Sequence, residues 1–335
     1  MRIGSVVLAV LAASATLSCA GERGRGAHEE TGPIALKLGH VGAPGSLFDL
    51  AATEFARRVE ERSAGRVTIA VFGSSQLGGD EALLQKLKLG TVDIALPSTI
   101  MSSTIPQFGL FEMPYLVEDR EHMKRIEEAV VWPDLAPLAE AAGYKLLAVW
   151  ENGFRHITNN VRPIVEPEDL AGIKLRTPRG IWRVKLFQVL GANPTPMAYS
   201  EVFMALQTGV MDGQENPFAQ IHSGRIHEVQ KYLSLTGHVY TPAYVTVGLD
   251  RWKRLPESVR TLVEQVAKET QPFVYETAVR LEEEDLAAME ASGIEVNEAD
   301  RAAFRAASQP LYDEFAATVE GGGELIAKAL SVSGR

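Results

Sequence analysis

From Ile34 onward the chain alternates short apolar strands with one-faced helices, and this alternation limits the fold more than any other feature. Ile34-Ala35-Leu36-Lys37-Leu38 reads as a strand. Leu47, Ala51, Phe55 and Val59 then recur at four-residue spacing, one face of a helix that Gly65 stops. Val67, Ile69 and Val71 alternate as a second strand, followed by a helix over 80–89 and a strand over 93–96. Strands alternating with helices predict an α/β fold with a largely parallel sheet.

A short internal echo predicts that this plan occurs twice. Leu87-Lys88-Leu89-Gly90-Thr91-Val92-Asp93 and Leu206-Gln207-Thr208-Gly209-Val210-Met211-Asp212 share the pattern L-x-x-G-x-x-D. In each, glycine can take the left-handed conformation that ends a helix, and aspartate opens the next extended segment. A length of 335 residues suits two domains, each with its own core. The second unit is expected to begin after the strand 145–150 and to hold a strand over 172–176 and helices over 182–190 and 200–207. A strand over 244–249 returns to the first unit. The pattern over 256–291 is one long helix, roughly 50 Å at the α-helical rise, suited to linking two lobes. The expected architecture is a two-lobed binding-protein fold with a cleft between the lobes. Lobe I takes 34–151 plus about 244–290, and lobe II takes 152–243 plus about 291–335.

The segment before Ile34 reads differently. Arg2 precedes an apolar run from Ile3 to Leu17, then Ser18 and Cys19, the pattern of a signal peptide over 1–19. The run is shorter than the ~20 apolar residues that span a bilayer. Cys19 is the single cysteine, so no internal disulfide is expected. Its setting after Thr16-Leu17-Ser18 resembles a bacterial lipoprotein cleavage site, with Thr16 where leucine is usual; a plain signal peptide cut nearby is the alternative. Residues 20–33 are rich in glycine and charge, as a flexible tether would be. The protein is therefore expected in the periplasm, with Cys19 as a candidate lipid anchor. A net charge of -10 argues against a nucleic-acid partner, which needs a basic stripe.

Enzyme signatures are absent from the sequence: it has no G-x-S-x-G, no H-E-x-x-H, no Walker loop and no G-x-G-x-x-G after a strand. His222 and His227 are five apart and do not share a helical face as metal ligands would. No catalytic set, cofactor or metal is expected. What stands out is polarity where strands end. The segment 151–159 follows an apolar strand, Arg176 ends another, and Asp212-Gly213-Gln214-Glu215-Asn216-Pro217 concentrates polar groups before a proline. In open α/β sheets ligands bind beyond the carboxyl ends of strands, and an arginine there can grip a carboxylate with two parallel hydrogen bonds.

In order and spacing, these segments resemble one family. They are Ser74-Ser75-Gln76-Leu77-Gly78, Asn152-Gly153-Phe154-Arg155, Leu175-Arg176-Thr177-Pro178, the stretch 191–197, and Leu206-Gln207-Thr208-Gly209 through Pro217. The chain is similar from about Ile34 almost to its end to the extracytoplasmic solute-binding subunits of TRAP transporters, the DctP family. The resemblance implies capture of a small organic acid by lobe closure and delivery to membrane permease subunits driven by an ion gradient. A monomer is expected, and a periplasmic sensor that binds the same ligand but signals is the rival reading. It also implies site residues. Arg176 holds the substrate carboxylate, Arg155 stands as a second cation at or near the pocket, and Asn216 is the pocket asparagine. Tyr199 forms an aromatic wall, His238 reaches the ligand through water, and Ser98 and Asp80 face the cleft from the first lobe. Sialic-acid binders carry an acid where Ser98 stands, which disfavours that ligand. Arg179 replaces a small polar residue and is a candidate second anchor, favouring a diacid or a sugar acid. Arg155 as an ion-pair partner, Asn216 as a helix cap, Tyr199 as core and Arg179 as a solvated side chain are the structural alternatives. A sugar acid is the first choice of ligand, with a C4-dicarboxylate, keto acid or aromatic acid open.

Overall fold

The computed structural model describes residues 32–334. The expectations for the signal peptide, Cys19 and most of the tether lie outside those residues. The described chain is α/β, with two mixed sheets.

The first sheet is built by β1 (Ile34–Gly39), α1 (Leu47–Arg62), β2 (Val67–Phe72), α2 (Asp80–Leu89) and β3 (Ile94–Ala95). Local chemistry sets these boundaries. The Ser46 side chain accepts from Asp49 N at the start of α1, and Gly90 closes α2 at φ 71°, which only glycine adopts at no steric cost. Strands β1, β2 and β3 pair in parallel. Next come β4 (Tyr144–Phe154) and β5 (His156–Asn159). The second sheet repeats the first plan through β6 (Lys174–Thr177), α3 (Ile181–Val189), β7 (Asn193–Pro196), α4 (Tyr199–Gln207) and β8 (Gly213–Asn216). The chain closes with β9 (Tyr232–Leu235), β10 (Tyr240–Gly248), α5 (Glu257–Ala291), β11 (Glu295–Glu298) and three short helices.

The strand orders are β2-β1-β3-β10-β4 in one sheet and, from the corresponding edge, β7-β6-β8-β5-β9-β11 in the other. Both begin with three parallel strands in the same sequence of crossovers, then add an antiparallel partner. The sheets are thus mixed rather than largely parallel, because β10 and β5 return along the third strand of each. The echo in the sequence is a structural repeat. Asp93 Oδ2 accepts from Lys37 N at 2.9 Å, and Asp212 Oδ2 accepts from Lys174 N at 2.9 Å. Each aspartate follows a left-handed glycine, Gly90 or Gly209, and ties down the middle strand of its sheet's three parallel strands.

Strand β4 runs on to Phe154, further than the apolar run 145–150 suggests. Its polar end pairs with β10, Gly153 opposite Thr241 and Phe154 opposite Tyr240, so the backbone is satisfied despite the side chains. A register shift between Thr241 and Pro242 and a φ of 120° at Gly153 mark where this ribbon passes from one sheet to the next. Helix α5 lies against both parts of the fold. Its first half buries Val263, Val266 and Ala267 with Phe55, Val59 and Trp150, and Trp150 Nε1 donates to Ala267 O at 3.0 Å. Further along, Asp285 meets His222 at 2.6 Å, and Met289 joins the core of α4. The 35-residue helix was expected over nearly the same span.

Candidate functional site

The ends of the repeated strands converge on a cavity of about 880 Å³ including its mouth. From the first sheet come Val41 after β1, Asp80 and Glu81 at the start of α2, and Ser98, Thr99 and Ile100 after β3. From the second come Arg176, Pro178 and Arg179 at the end of β6, Met197 and Tyr199 between β7 and α4, and Asn216 and Gln220 after β8. Asn152 and Arg155, on the crossing ribbon, complete the wall. Of the eight side chains expected from the sequence, Asp80, Ser98, Arg155, Arg176, Arg179, Tyr199 and Asn216 line this cavity, and His238 does not.

Arg176 is 3% exposed. Its Nε and Nη2 both donate to Met197 O, at 3.0 and 2.5 Å, so one edge of the guanidinium is anchored on the backbone. Nη1 has no hydrogen-bond partner among the described residues, and no carboxylate lies within 4.0 Å of the group. Burial pushes its pKa down to about 10, still well above neutrality, so the group is a cation. A buried cation without a counter-ion is costly unless something pairs it.

Arg155 is equally buried but differently engaged. Nε donates to Glu215 Oε2 at 2.5 Å and Nη2 to Glu215 Oε1 at 2.9 Å, a bidentate pair, and Nη2 also reaches Asn216 Oδ1 at 2.9 Å. Arg183 Nη1 meets the same carboxylate at 2.6 Å, and its Nη2 lies 2.9 Å from Glu112. Burial opposes the charge on Glu215, yet the two guanidiniums hold its carboxyl below the usual carboxylate range. The counter-charge of Arg155 among the described residues is therefore Glu215, and Nη1 is left for the cavity. Glu151 instead pairs with Arg120 at 2.7 Å.

His238 corrects an expectation. It is 1% exposed, with Nε2 3.1 Å from Glu215 Oε2 and Nδ1 2.9 Å from Thr236 Oγ1. It stands behind Glu215 as part of the charged cluster rather than in the wall. Burial lowers its pKa to about 4, so it is neutral at physiological pH. Arg179 also has a partner within the protein. It reaches the mouth of the cavity, but Nη1 donates to Glu81 at 2.7 Å, both side chains are about half exposed, and the pair joins the loop after β6 to the start of α2. In this structure it is an ion-pair partner of Glu81 at the rim of the cavity.

The remaining groups are fixed by hydrogen bonds. Ser98 Oγ donates to Pro242 O at 2.7 Å and accepts from Asn152 Nδ2 at 3.3 Å. Tyr199 OH donates to Gln220 O at 2.6 Å, which leaves the ring as an apolar wall beside Met197. Asn216 Nδ2 donates to Gln214 Oε1 at 2.5 Å, and Pro217, not Asn216, precedes the helix that follows. Asp80 Oδ1 has no partner, and burial raises its pKa to about 6, against the attraction of Arg176.

Residues 38–318 match the model of the bacterial extracellular solute-binding proteins, family 7, known as DctP. The chain belongs to this family. The sialic acid-binding periplasmic protein SiaP of Vibrio cholerae is 34% identical over 84% of this chain and 88% of its own. An uncharacterized protein of Sinorhizobium fredii, y4mM, is 37% identical over 83% of this chain, which spans 52% of that longer relative. The sugar acid binding protein DctPAm of Advenella mimigardefordensis, crystallised with galactonate, superposes with a TM-score of 0.87 at 31% identity, over 90% of this chain and 99% of its own. A TRAP periplasmic solute-binding protein of a Polaromonas species bound to D-erythronate gives 0.86 at 34% identity, over 90% and 100%. The family resemblance in the motifs and the two-lobed fold with its long helix are thereby established. Among the described residues no helix is long and apolar enough to cross a membrane.

Several wall residues carried no readable signal. Gln220 and Glu81 look like ordinary polar positions, and Phe48 and Ile100 look like core; Asn152 and Met197 lay inside the matching segments without a role of their own. Arg183 sits within a helical segment with no polar motif around it. Glu215 was within reach, since it lies in the polar run 212–217 between two residues of the motif.

Proposed function

We propose that this family 7 protein is the exported receptor of a TRAP-type transporter. It captures a small organic acid by lobe closure and hands it to membrane permease subunits, without turnover. One observation carries the reading. Arg176 is a buried guanidinium held by Met197 O on one edge, open on the other, and without a carboxylate partner among the described residues. A ligand carboxylate completes that environment. Relatives crystallised with galactonate and D-erythronate support the same class. A sugar acid is the first choice, and Ser98 in place of an acid disfavours sialic acid.

The strands of the first sheet with α5 act as one lobe, close to 34–151 plus 244–290. Those of the second act as the other, within 152–243 plus 291–335, and the β4–β10 ribbon is the hinge. The receptor works as a monomer, secreted through residues 1–19 and tethered by 20–33, with Cys19 the lipid-bearing residue. Thermal shift against an organic-acid library tests the central claim, because a ligand of the native state raises the melting point by mass action. Shifts from carboxylates support it. Shifts only from neutral sugars or amines refute it. A gene neighbourhood without two membrane subunits favours a sensor instead.

A further inference from the structure

Behind the cavity wall runs a chain of side-chain hydrogen bonds that ends on two wall residues. It begins at Gln230, just before β9, passes through Thr158 on β5 and Gln214 on β8, and reaches Asn216 and Arg155. Gln230, Thr158 and Gln214 are buried, and none of the three lines the cavity. Strand register brings them together. Thr158 and Gln214 are opposite one another across the β5–β8 pair, and Gln214 and Asn216 stand two apart on β8, on one face.

Each link runs in only one direction. One arm of the Gln230 amide lies 3.4 Å from Asp212 O and 3.1 Å from Val229 O; carbonyls only accept, so this arm is Nε2. Its Oε1 then faces Thr158 Oγ1 at 3.0 Å, and the hydroxyl spends its single proton there. Thr158 can therefore only accept from the Gln214 amide, whose Nε2 is 2.9 Å away. Gln214 Oε1 accepts from Asn216 Nδ2 at 2.5 Å, and Asn216 Oδ1 accepts from Arg155 Nη2 at 2.9 Å. A guanidinium only donates, so the cavity end demands the same orientation that the backbone end sets. Reversing any one of the amides breaks at least two links at once.

The backbone end is itself tied down. Val229 O also accepts from Asn160 Nδ2 at 2.8 Å, and Asp212 is the aspartate that holds Lys174 N. We infer that Gln230, Thr158 and Gln214 are positioning residues: a one-way relay from two backbone carbonyls that holds the Asn216 amide, and through it the Arg155 guanidinium, in the orientation a ligand meets, which rests on the reading of this cavity as the ligand site. Buried polar networks of this kind act as a unit, because each orphaned group is costly in a low-dielectric interior. Removing the Thr158 hydroxyl orphans Gln214 Nε2 and Gln230 Oε1 together, and the freed Gln214 amide no longer pins Asn216.

Thr158→Val removes the hydroxyl and keeps the shape, whereas Thr158→Ser keeps the hydroxyl and loses a methyl. Packing alone ranks valine above serine; the relay ranks serine above valine. Two readouts on the whole protein tell them apart. The first needs no ligand: the side-chain amide signals of Asn216 in the proton–nitrogen NMR spectrum, identified by their loss in Asn216→Ser. The second is calorimetric affinity for galactonate, D-erythronate, succinate and D-glucuronate, with the tightest binder of the wild type as probe. Thr158→Val should move the Asn216 signals and weaken probe binding about tenfold, the scale of a lost hydrogen bond whose partners stay buried. Thr158→Ser should return the signals to their wild-type positions and the affinity to within about threefold of wild type. Unmoved Asn216 signals in Thr158→Val, probe binding there within about threefold of wild type, or a serine variant no better than valine each overturns the relay. Absence of binding by all four compounds to the wild type counts against the carboxylate reading, and the Asn216 signals alone then decide: moved by valine and restored by serine supports the relay, anything else overturns it. If circular dichroism shows Thr158→Val unfolded, Gln230→Met is read against wild type in the same way; if neither folds, the chain serves the fold rather than the site and its positioning role is overturned.

Discussion

Replacing Arg176 probes the whole functional reading. Two of its five N–H groups are committed to Met197 O, and the free edge, with Nη1 and the second hydrogen of Nη2, forms a fork for one carboxylate. Charge-assisted bonds of this kind contribute about 1.5–3 kcal/mol net. Truncating one partner of a buried charge pair removes that and strands the other charge, about 2–5 kcal/mol in all. Arg176→Ala is therefore expected to weaken binding of the best carboxylate from the organic-acid library on the order of 100-fold or more, at 1.36 kcal/mol per tenfold. Folding should not suffer in step, since the variant relieves an unpaired buried cation. Its melting temperature without ligand should equal or exceed the wild type. Arg176→Lys should also lose affinity, because one ammonium cannot hold Met197 O and present a planar fork. Calorimetry is the assay, with the ligand-free melting temperature as control. Affinity within threefold of wild type in a folded Arg176→Ala protein would refute the reasoning, since no other cation in the wall lacks a carboxylate partner.

Three more outcomes follow from the charged groups around it. Glu215→Gln leaves Arg155 and Arg183 facing each other beside His238, and should cost about 3–5 kcal/mol in urea unfolding, as broken buried pairs do; a loss under 1 kcal/mol contradicts the cluster described. Arg179→Ala removes only a half-exposed pair with Glu81, so affinity should change less than about threefold, whereas a loss beyond thirtyfold would restore Arg179 as an anchor. Asp80 binds its proton more tightly in the folded state, its pKa rising from 3.8 to about 6, so its ionisation erodes stability as pH climbs through that window. Asp80→Asn should melt higher than wild type above pH 6, by a few °C at most given its partial exposure, with the gap closing near pH 4; a gap that widens in acid has the wrong sign.

Much of this was legible in the chain because short-range chemistry dictates it. Apolar spacing located α1 and α2, and the L-x-x-G-x-x-D echo marked both Gly-terminated helices and the two aspartates that lock Lys37 and Lys174. Arg176 was readable because it ends an apolar strand just before a proline. What was not legible is who pairs with whom. Arg155, Arg176 and Arg179 look alike in sequence, yet Glu215 takes one, Glu81 takes another and Met197 O takes the third. Those partners lie 60, 98 and 21 positions away. Side-chain pairing over such distances depends on sheet register and crossing, which no local pattern encodes. His238 slipped for the same reason: its position is near the site along the chain, but its ring turns toward Glu215.

The repeat also bears on the timing of capture. The aspartate locks align Lys37 with Lys174, which places Gly39 where the second sheet has Arg176. A side chain at Gly39 would run into Leu83, so that strand end is closed against its own helix. Two halves of one plan thus meet the ligand unequally: one carries the charge that attracts an anion from a distance, the other carries short-range acceptors. On the reading proposed above, the Arg176 half would draw the anion in and the first-sheet half would close over it. Changes at Arg176 should register in both association and release, with the association part falling away as salt screens it.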